Sequence, residues 1–157
     1  MQVAARPANH EDLATFLTMY RALEAEMTAI HRMWPLADGL PEPIEEAFNR
    51  ILSDERAFLY LGTIDDVIFG FLLTRLEDSL PQAHGLQIGA IRLVFVEMEA
   101  REVGVGEAMR DLAMSDLRQR GITRFDAHVL PGHRLVKNFF EAGGFAARSI
   151  VMHHSDD

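Results

Sequence analysis

Apolar residues recur at three- and four-residue spacing through Leu13, Phe16, Leu17, Tyr20, Leu23 and Met27, a period that gathers side chains on one face of a helix. The pattern predicts a helix from about Asn9 to Ile30, with Glu11 and Asp12 as acids suited to its first turn. A short β-like stretch, Gln2 to Arg6, precedes it. Trp34 to Pro43, with three prolines and Gly39, reads as a loop. A second helix, about Ile44 to Ser53, would bury Ile44, Ala47, Phe48, Ile51 and Leu52.

The period then changes. Ala57 to Ile64 and Val67 to Arg75 are rich in β-branched and aromatic residues and are separated only by Asp65-Asp66, which predicts two antiparallel strands joined by a tight hairpin. Leu86 to Val96 is a third long apolar run. Gly104 to Arg120 predicts a helix that buries Val105, Ala108, Met109, Leu112 and Leu117 and stops at Gly121. Phe125, Ala127 and Val129 alternate with polar neighbours as in a strand, and Pro131-Gly132 breaks the chain. A helix from about His133 to Ala142 follows, ended by Gly143-Gly144. Phe145 to His153 predicts a last strand.

The order β-α-α-β-β-β-α-β-α-β predicts a mixed sheet covered by helices, of the α/β or α+β kind. With 157 residues, 48% of them hydrophobic, the chain is expected to form one domain over residues 1–154, with 155–157 a frayed tail. No apolar run is long enough to span a bilayer and no secretory signal opens the chain, so neither membrane nor export is expected. The sequence has no cysteine, which excludes disulfides, thiolate metal sites and cysteine nucleophiles and fits a cytoplasmic location. A net charge of −9 argues against nucleic-acid binding, which depends on lysine and arginine displacing phosphate counterions, and suits a cationic acceptor. His153 and His154 are neighbours on a strand and point to opposite faces, so no metal site is expected.

The segment richest in chemistry runs from the strand Ile91–Val96 through Glu97–Val103 into Gly104-Val105-Gly106 at the head of a helix. Unpaired N–H groups at a helix start favour an anion, and glycine lets a phosphate approach the backbone. A Walker-type loop would need Gly-Lys-Ser/Thr, which is absent. A dinucleotide fingerprint would need a small residue where Met109 stands.

Arg101-x-x-Gly104-x-Gly106 after a strand resembles motif A of the GCN5-related N-acetyltransferase (GNAT) family. Arg6-Pro7-Ala8 with Glu11-Asp12-Leu13 is similar to the family's opening, and Ile64 to Gly70 to its hairpin. Phe125-x-Ala127-x-Val129 and Phe139 to Phe145 resemble its motif B. The resemblance implies a GNAT-like, mostly antiparallel central sheet with helices on both faces. It also implies acetyl-CoA as acyl donor, without a metal, and direct transfer to the amine of a small molecule or peptide. Backbone groups near Phe95 and Val96 would pair with the pantetheine arm, and N–H groups of Arg101, Glu102, Val103, Gly104, Val105 and Gly106 would hold the pyrophosphate.

Several residues depart from the family pattern. Phe140 stands where a tyrosine often protonates the departing thiolate, and His133 replaces the usual asparagine at the start of the motif B helix. Glu102 and Glu107 bring negative charge near the phosphates and are expected to face water. Lys137 is a candidate phosphate contact. Glu97 and His128 are candidate bases, and His31 and Trp34 candidate acceptor contacts. Edge strands and apolar helix faces are compatible with a homodimer. Two further readings stay open: a catalytically weak acyl-CoA-binding or sensor domain, which Phe140 favours, and a GNAT-fold protein-interaction module.

Overall fold

A computed structural model describes residues 1–34 and 38–157; Pro35, part of the expected first loop, lies outside them. Strand β1 (Val3–Pro7) leads to Asn9, whose side chain accepts the Glu11 N–H at 2.9 Å while Asp12 accepts the Asn9 N–H at 2.8 Å. This reciprocal cap opens a 3-10 turn, His10–Asp12, that runs into α1 (Leu13–Ile30). The buried Asp12 also receives both guanidinium nitrogens of Arg6, each at 2.9 Å, so one carboxylate ties β1 to the head of α1.

There follow α2 (Ile44–Ser53), β2 (Ala57–Ile64), β3 (Val67–Asp78), β4 (Gln87–Val96), α3 (Val105–Gln119), β5 (Phe125–Ala127) and α4 (Arg134–Ala142). The five strands form one sheet in the order β1-β2-β3-β4-β5, antiparallel except for the parallel β4–β5 pair. The hairpin falls at the expected place: Ile64 pairs with Val67, and Asp65 and Asp66 take φ of 49° and 68°. Two left-handed residues match the right-handed twist of the flanking strands, and aspartate tolerates that conformation.

Helices cover both faces. On one, α1 packs over β3 and β4 and α2 over β2, with the Phe16 ring 5.1 Å from Phe48 and 4.9 Å from Phe71. On the other, Val105, Met109 and Ala113 of α3 and Phe140 of α4 pack on Tyr60, Leu72 and Ile91. Buried Tyr60 donates its hydroxyl proton to Asp116 at 2.9 Å.

Two expectations are corrected. The strand expected to reach Val129 ends at Ala127, because β4 bends away from it. The strand expected over Phe145–His153 makes no ladder: Phe145 is held by its N–H to the Phe140 carbonyl at 3.0 Å, and the residues beyond it are extended and exposed. Alternating side chains give a segment the capacity to be a strand, but a strand exists only where its backbone groups find a partner.

Arg6 holds the Asp12 carboxyl below the ordinary carboxylate range by hydrogen bonding and charge, with the Asn9 N–H assisting, against the opposing effect of burial. Its stabilising contribution is therefore full above about pH 4 and is lost as pH falls through the lower folded value. Asp12→Ala should destabilise the fold by about 1–2 kcal/mol in urea unfolding and reduce the fall in stability on acidification.

Candidate functional site

The site begins with one extra residue. Leu93 pairs with Leu73 and Ile91 with Thr74, so Arg92 has no counterpart on β3 and forms a bulge in β4. Side chains two apart on a regular strand share a face. Across the bulge they do not: Leu93 and Phe95 enter the α1/α2 core, whereas Ile91 enters the α3/α4 core.

The bulge also sets where β4 and β5 separate. They pair only over Gly89–Ile91 and Phe125–Ala127, with one more bond from the His128 N–H to the Ile91 carbonyl at 3.0 Å. Beyond that point β4 continues to Val96, still paired with β3 but, among the described residues, with no strand on its other side. The Glu97 N–H donates to Phe69 of β3 at 2.7 Å. By the alternation of an antiparallel ladder, the Val96 and Val94 backbone groups then face the open side while those of Phe95 face β3.

That open edge runs into a turn of N–H groups. Glu102 and Gly104 have φ of 67° and 101°, and Arg101 between β4 and Glu102 has φ of −76°. Two left-handed residues so close together curl the backbone ahead of α3 into a concavity, and N–H groups turned into such a curl suit an anion. Among the described residues, no N–H from Glu102 to Glu107 makes a protein hydrogen bond, while Ala108 resumes with the Gly104 carbonyl at 3.0 Å. The two glycines serve different purposes. Gly104 supplies the left-handed backbone, with only Val3 as near as 3.9 Å to an added Cβ. Gly106 supplies space, since a Cβ there would lie 3.1 Å from the Phe139 ring of α4.

Arg101 turns its side chain away from this concavity. Its Nε donates to the Val96 carbonyl at 2.8 Å, its Nη2 meets Glu26 of α1 at 2.6 Å, and its guanidinium lies 5.9 Å from the Phe95 ring centre. The guanidinium thus fastens the loop to β4 and α1, and what Arg101 offers an anion is the loop's position. Glu26 is a site residue that the sequence does not single out, because it reads as one more acid on the polar face of α1. Arg110 is another: it stacks on Phe139 at 4.8 Å and donates to the Phe139 carbonyl at 3.3 Å, pinning α4 against α3. Glu102 and Glu107 are exposed, as expected.

On α4, His133 is the N-cap residue and is 9% exposed, with Nε2 3.9 Å from Glu26. Lys137 is exposed and pairs with Glu141 at 2.6 Å. Phe140 is buried, its ring 5.0 Å from Phe139 and 5.2 Å from Phe145. Glu97, half-buried, directly follows β4, and His128 is exposed where β5 and β4 separate.

On the α1/α2 side of the bulge lies a cavity of 270 Å³ whose lining includes Asp38, Leu40, Leu73, Glu77, Arg92 and Leu93. Arg92 bridges its acids, 2.9 Å from Asp38 and 2.8 Å from Glu77, and its Nη1 lies 3.3 Å from His128 Nε2. The two acceptor candidates, His31 and Trp34, serve the loop itself. His31 Nδ1 accepts the Met33 N–H at 3.1 Å, and Trp34 is buried at 4% exposure beside Tyr20. Among the described residues no cluster of three or more histidine and acidic side chains is placed to hold a metal ion. No helix there is long and apolar enough to cross a membrane.

The profile of the Acetyltransferase (GNAT) family matches residues 18–145. No curated protein matches the chain. Among solved structures, a transcriptional regulator from Bacillus halodurans C-125 is 22% identical and superposes with a TM-score of 0.77, covering 98% of this chain and 100% of that one. AAC(6')-Iy in complex with the bisubstrate analog CoA-S-monomethyl-acetylneamine is 16% identical, with a TM-score of 0.76 and coverage of 100% and 99%. Ribosomal-protein-alanine N-acetyltransferase from Brucella melitensis biovar Abortus 2308 is 15% identical, with a TM-score of 0.73 and coverage of 98% and 100%.

Burial, with the Arg101 charge adding to it, lowers the His133 pKa from its ordinary value of 6.5 against the opposing pull of Glu26. As pH falls the unfolded chain takes up this proton first, so stability is full above about pH 6.5 and declines towards the lower folded value. His133→Gln should flatten that decline in urea unfolding measured between about pH 7 and 5; an unchanged slope would remove His133 as its source.

Proposed function

The chain belongs to the GNAT family of acetyltransferases, and we propose that it is a cytoplasmic, acetyl-CoA-dependent N-acetyltransferase acting on the amine of a small molecule or peptide. The observation that carries this reading is continuity: the unpaired edge of β4 leads directly into the unpaired N–H groups of Glu102 to Glu107. One offers an extended chain a strand to pair with, and the other offers a phosphate its donors.

The donor set fits acetyl-CoA. The Phe95 backbone, expected to pair with the pantetheine arm, is turned to β3, so the groups of Val94 and Val96 would receive the arm, the N–H groups from Arg101 to Gly106 the pyrophosphate, and His133 and Lys137 would flank it from α4. Bound there, acetyl-CoA supplies an acyl group already activated as a thioester. For transfer, the amine nitrogen would form a bond to the acetyl carbon as the carbon–sulfur bond breaks, the electron pair leaving with sulfur. The proton released by the amine passes to a base, for which Glu97 and His128 are the candidates on this chain.

Phe140 has no proton to give, so protonation of the departing thiolate would fall to solvent. A positioned general acid is worth about 10²–10⁴ in rate, while a cysteine-like thiol has a pKa of about 8.5, so turnover slows without stopping. This same residue favours a second reading, an acyl-CoA-binding domain of weak activity. The acceptor's own pKa matters as much. Deprotonating a lysine at pH 7 costs about 4.6 kcal/mol against about 1 for an α-amine, so acceptors of low amine pKa place the least demand on a base.

A cationic acceptor has a place to go in the cavity beside the bulge, where Asp38 and Glu77 stand. Arg92 already occupies both acids, so a single positive charge suits the cavity better than several.

Acetyl-CoA at a hundred times its dissociation constant should stabilise the fold by about 2.7 kcal/mol, a rise in Tm of roughly 5–11 °C. Gly104→Trp, with room for its side chain but a left-handed backbone to satisfy, should remain folded and lose this shift. Equal shifts in both proteins would remove the loop from the reading, and no shift in the unmodified protein would remove acetyl-CoA. Acetylation of an amine panel then separates the enzyme from the weakly active binding domain.

A further inference from the structure

The cavity beside the bulge holds two arginines as well as its acids, and the four charges are not equally engaged. Arg92 Nε and Nη2 both donate to Asp38 Oδ1, at 3.1 and 2.9 Å, and its Nη1 donates to Glu77 Oε1 at 2.8 Å. These bonds fall on one oxygen of each acid. Among the described residues, Asp38 Oδ2 and Glu77 Oε2 accept no hydrogen bond.

Arg75 is the other cation. It lines the same cavity from β3, between Leu73 and Glu77, since alternate residues of a strand point to one face. Its guanidinium makes no hydrogen bond among the described residues, and its ion-pair contact with Asp54 Oδ2, at 3.6 Å, is longer than one. A guanidinium fork fits both oxygens of a carboxylate. The cavity therefore offers an unmet fork to a carboxylate and unmet carboxylate oxygens to an ammonium. Between them its wall is apolar, with Leu40, Leu73 and Leu93. Its 270 Å³ is at the small end of ligand pockets, which run from about 300 to 1,000 Å³.

We propose that the acceptor is a small amino acid with an apolar side chain and a free α-carboxylate. Arg75 holds the carboxylate, Leu40, Leu73 and Leu93 receive the side chain, and the free oxygens of Asp38 and Glu77 direct the amine. A polyamine would bring further positive charge against Arg75 and Arg92, and a peptide, whose first carboxyl is an amide, would leave the Arg75 fork unmet. What becomes of the amine rests on the N-acetyltransferase reading; the binding does not. In the transfer the ammonium loses two protons, one ending on the departing sulfur and one in solvent, and the product is the N-acetyl amino acid.

Calorimetric titration of the full chain with L-leucine, L-leucinamide and isoamylamine isolates the carboxylate, because the three share a side chain and an amine and only the first carries that group. L-leucine should bind about tenfold more tightly than the other two, as a charge-assisted bond implies. Arg75→Gln should abolish this preference by weakening L-leucine and leaving leucinamide unchanged, and Arg75→Lys should restore part of it. If Arg75→Gln fails to fold by far-UV circular dichroism, Glu77→Gln tests the other pole and should weaken L-leucine and leucinamide alike. With acetyl-CoA present, the same preference should appear in KM, with N-acetyl-leucine as product. The titrations need no acetyl-CoA, so their failure is distinct from failure of the cofactor to raise Tm. No binding of L-leucine, equal binding of L-leucine and leucinamide, or an equal loss of both in Arg75→Gln would overturn the proposal.

Discussion

Arg92 is the residue around which the site is arranged, because β4 carries one residue more than β3 can pair with at that point. An unpaired residue bends its strand and increases its twist, and here three consequences coincide. The two halves of β4 present opposite faces, so Ile91 and Leu93 serve different cores. The parallel pairing with β5 ends after Ile91, leaving the second half of β4 paired with β3 alone. The side chain at the bulge projects into the acidic cavity between the sheet and the α1–α2 loop, where it meets Asp38 and Glu77. A regular β4 would remove the opening and the cavity's central charge together.

The opening needs its two ends fixed, and ion pairs formed across distant parts of the chain do that. At the loop end, Arg101 links Val96 to Glu26, 75 residues away, with His133 of α4 close by. Arg110 and the missing side chain at Gly106 let α4 lie close against α3. These contacts explain why arginine, with a planar fork that can serve two acceptors at once, suits position 101 although its guanidinium is not in the anion concavity. A negatively charged protein can still offer an anion site, because the donors are backbone N–H groups and Glu102 and Glu107 are exposed to water.

Much of the fold is legible in the sequence because its elements have clean periods: the helical spacing from Leu13 to Met27, the Asp65-Asp66 hairpin and the glycines that stop α3 and α4 all reappear where expected. The bulge is not legible, since Ile91 to Val96 is apolar on both faces and a run without alternation carries no register; Arg92 within it is the one visible sign. The last strand misleads for another reason. Phe145 to His153 carries the β-branched and apolar run Ile150-Val151-Met152 that suits a strand, but pairing is a property of two segments and composition describes one. Within the site, the loop Arg101–Gly106 stands out through its glycines and its place between strand and helix. Glu26 and Arg110 are hidden among ordinary polar helix positions, and their importance comes from what tertiary packing sets beside them. Trp34, the one tryptophan, and Phe140, second of an aromatic pair, are core residues.

The account rests on the claim that one continuous groove, from the open edge of β4 to the N–H groups ahead of α3, receives acetyl-CoA. Hydrogen exchange of individual amides, with and without acetyl-CoA, tests it most directly. The account predicts slowed exchange at Val94 and Val96 and from Glu102 to Glu107, with Phe95, already turned to β3, little changed. Exchange unaltered at these amides while others become protected would contradict it.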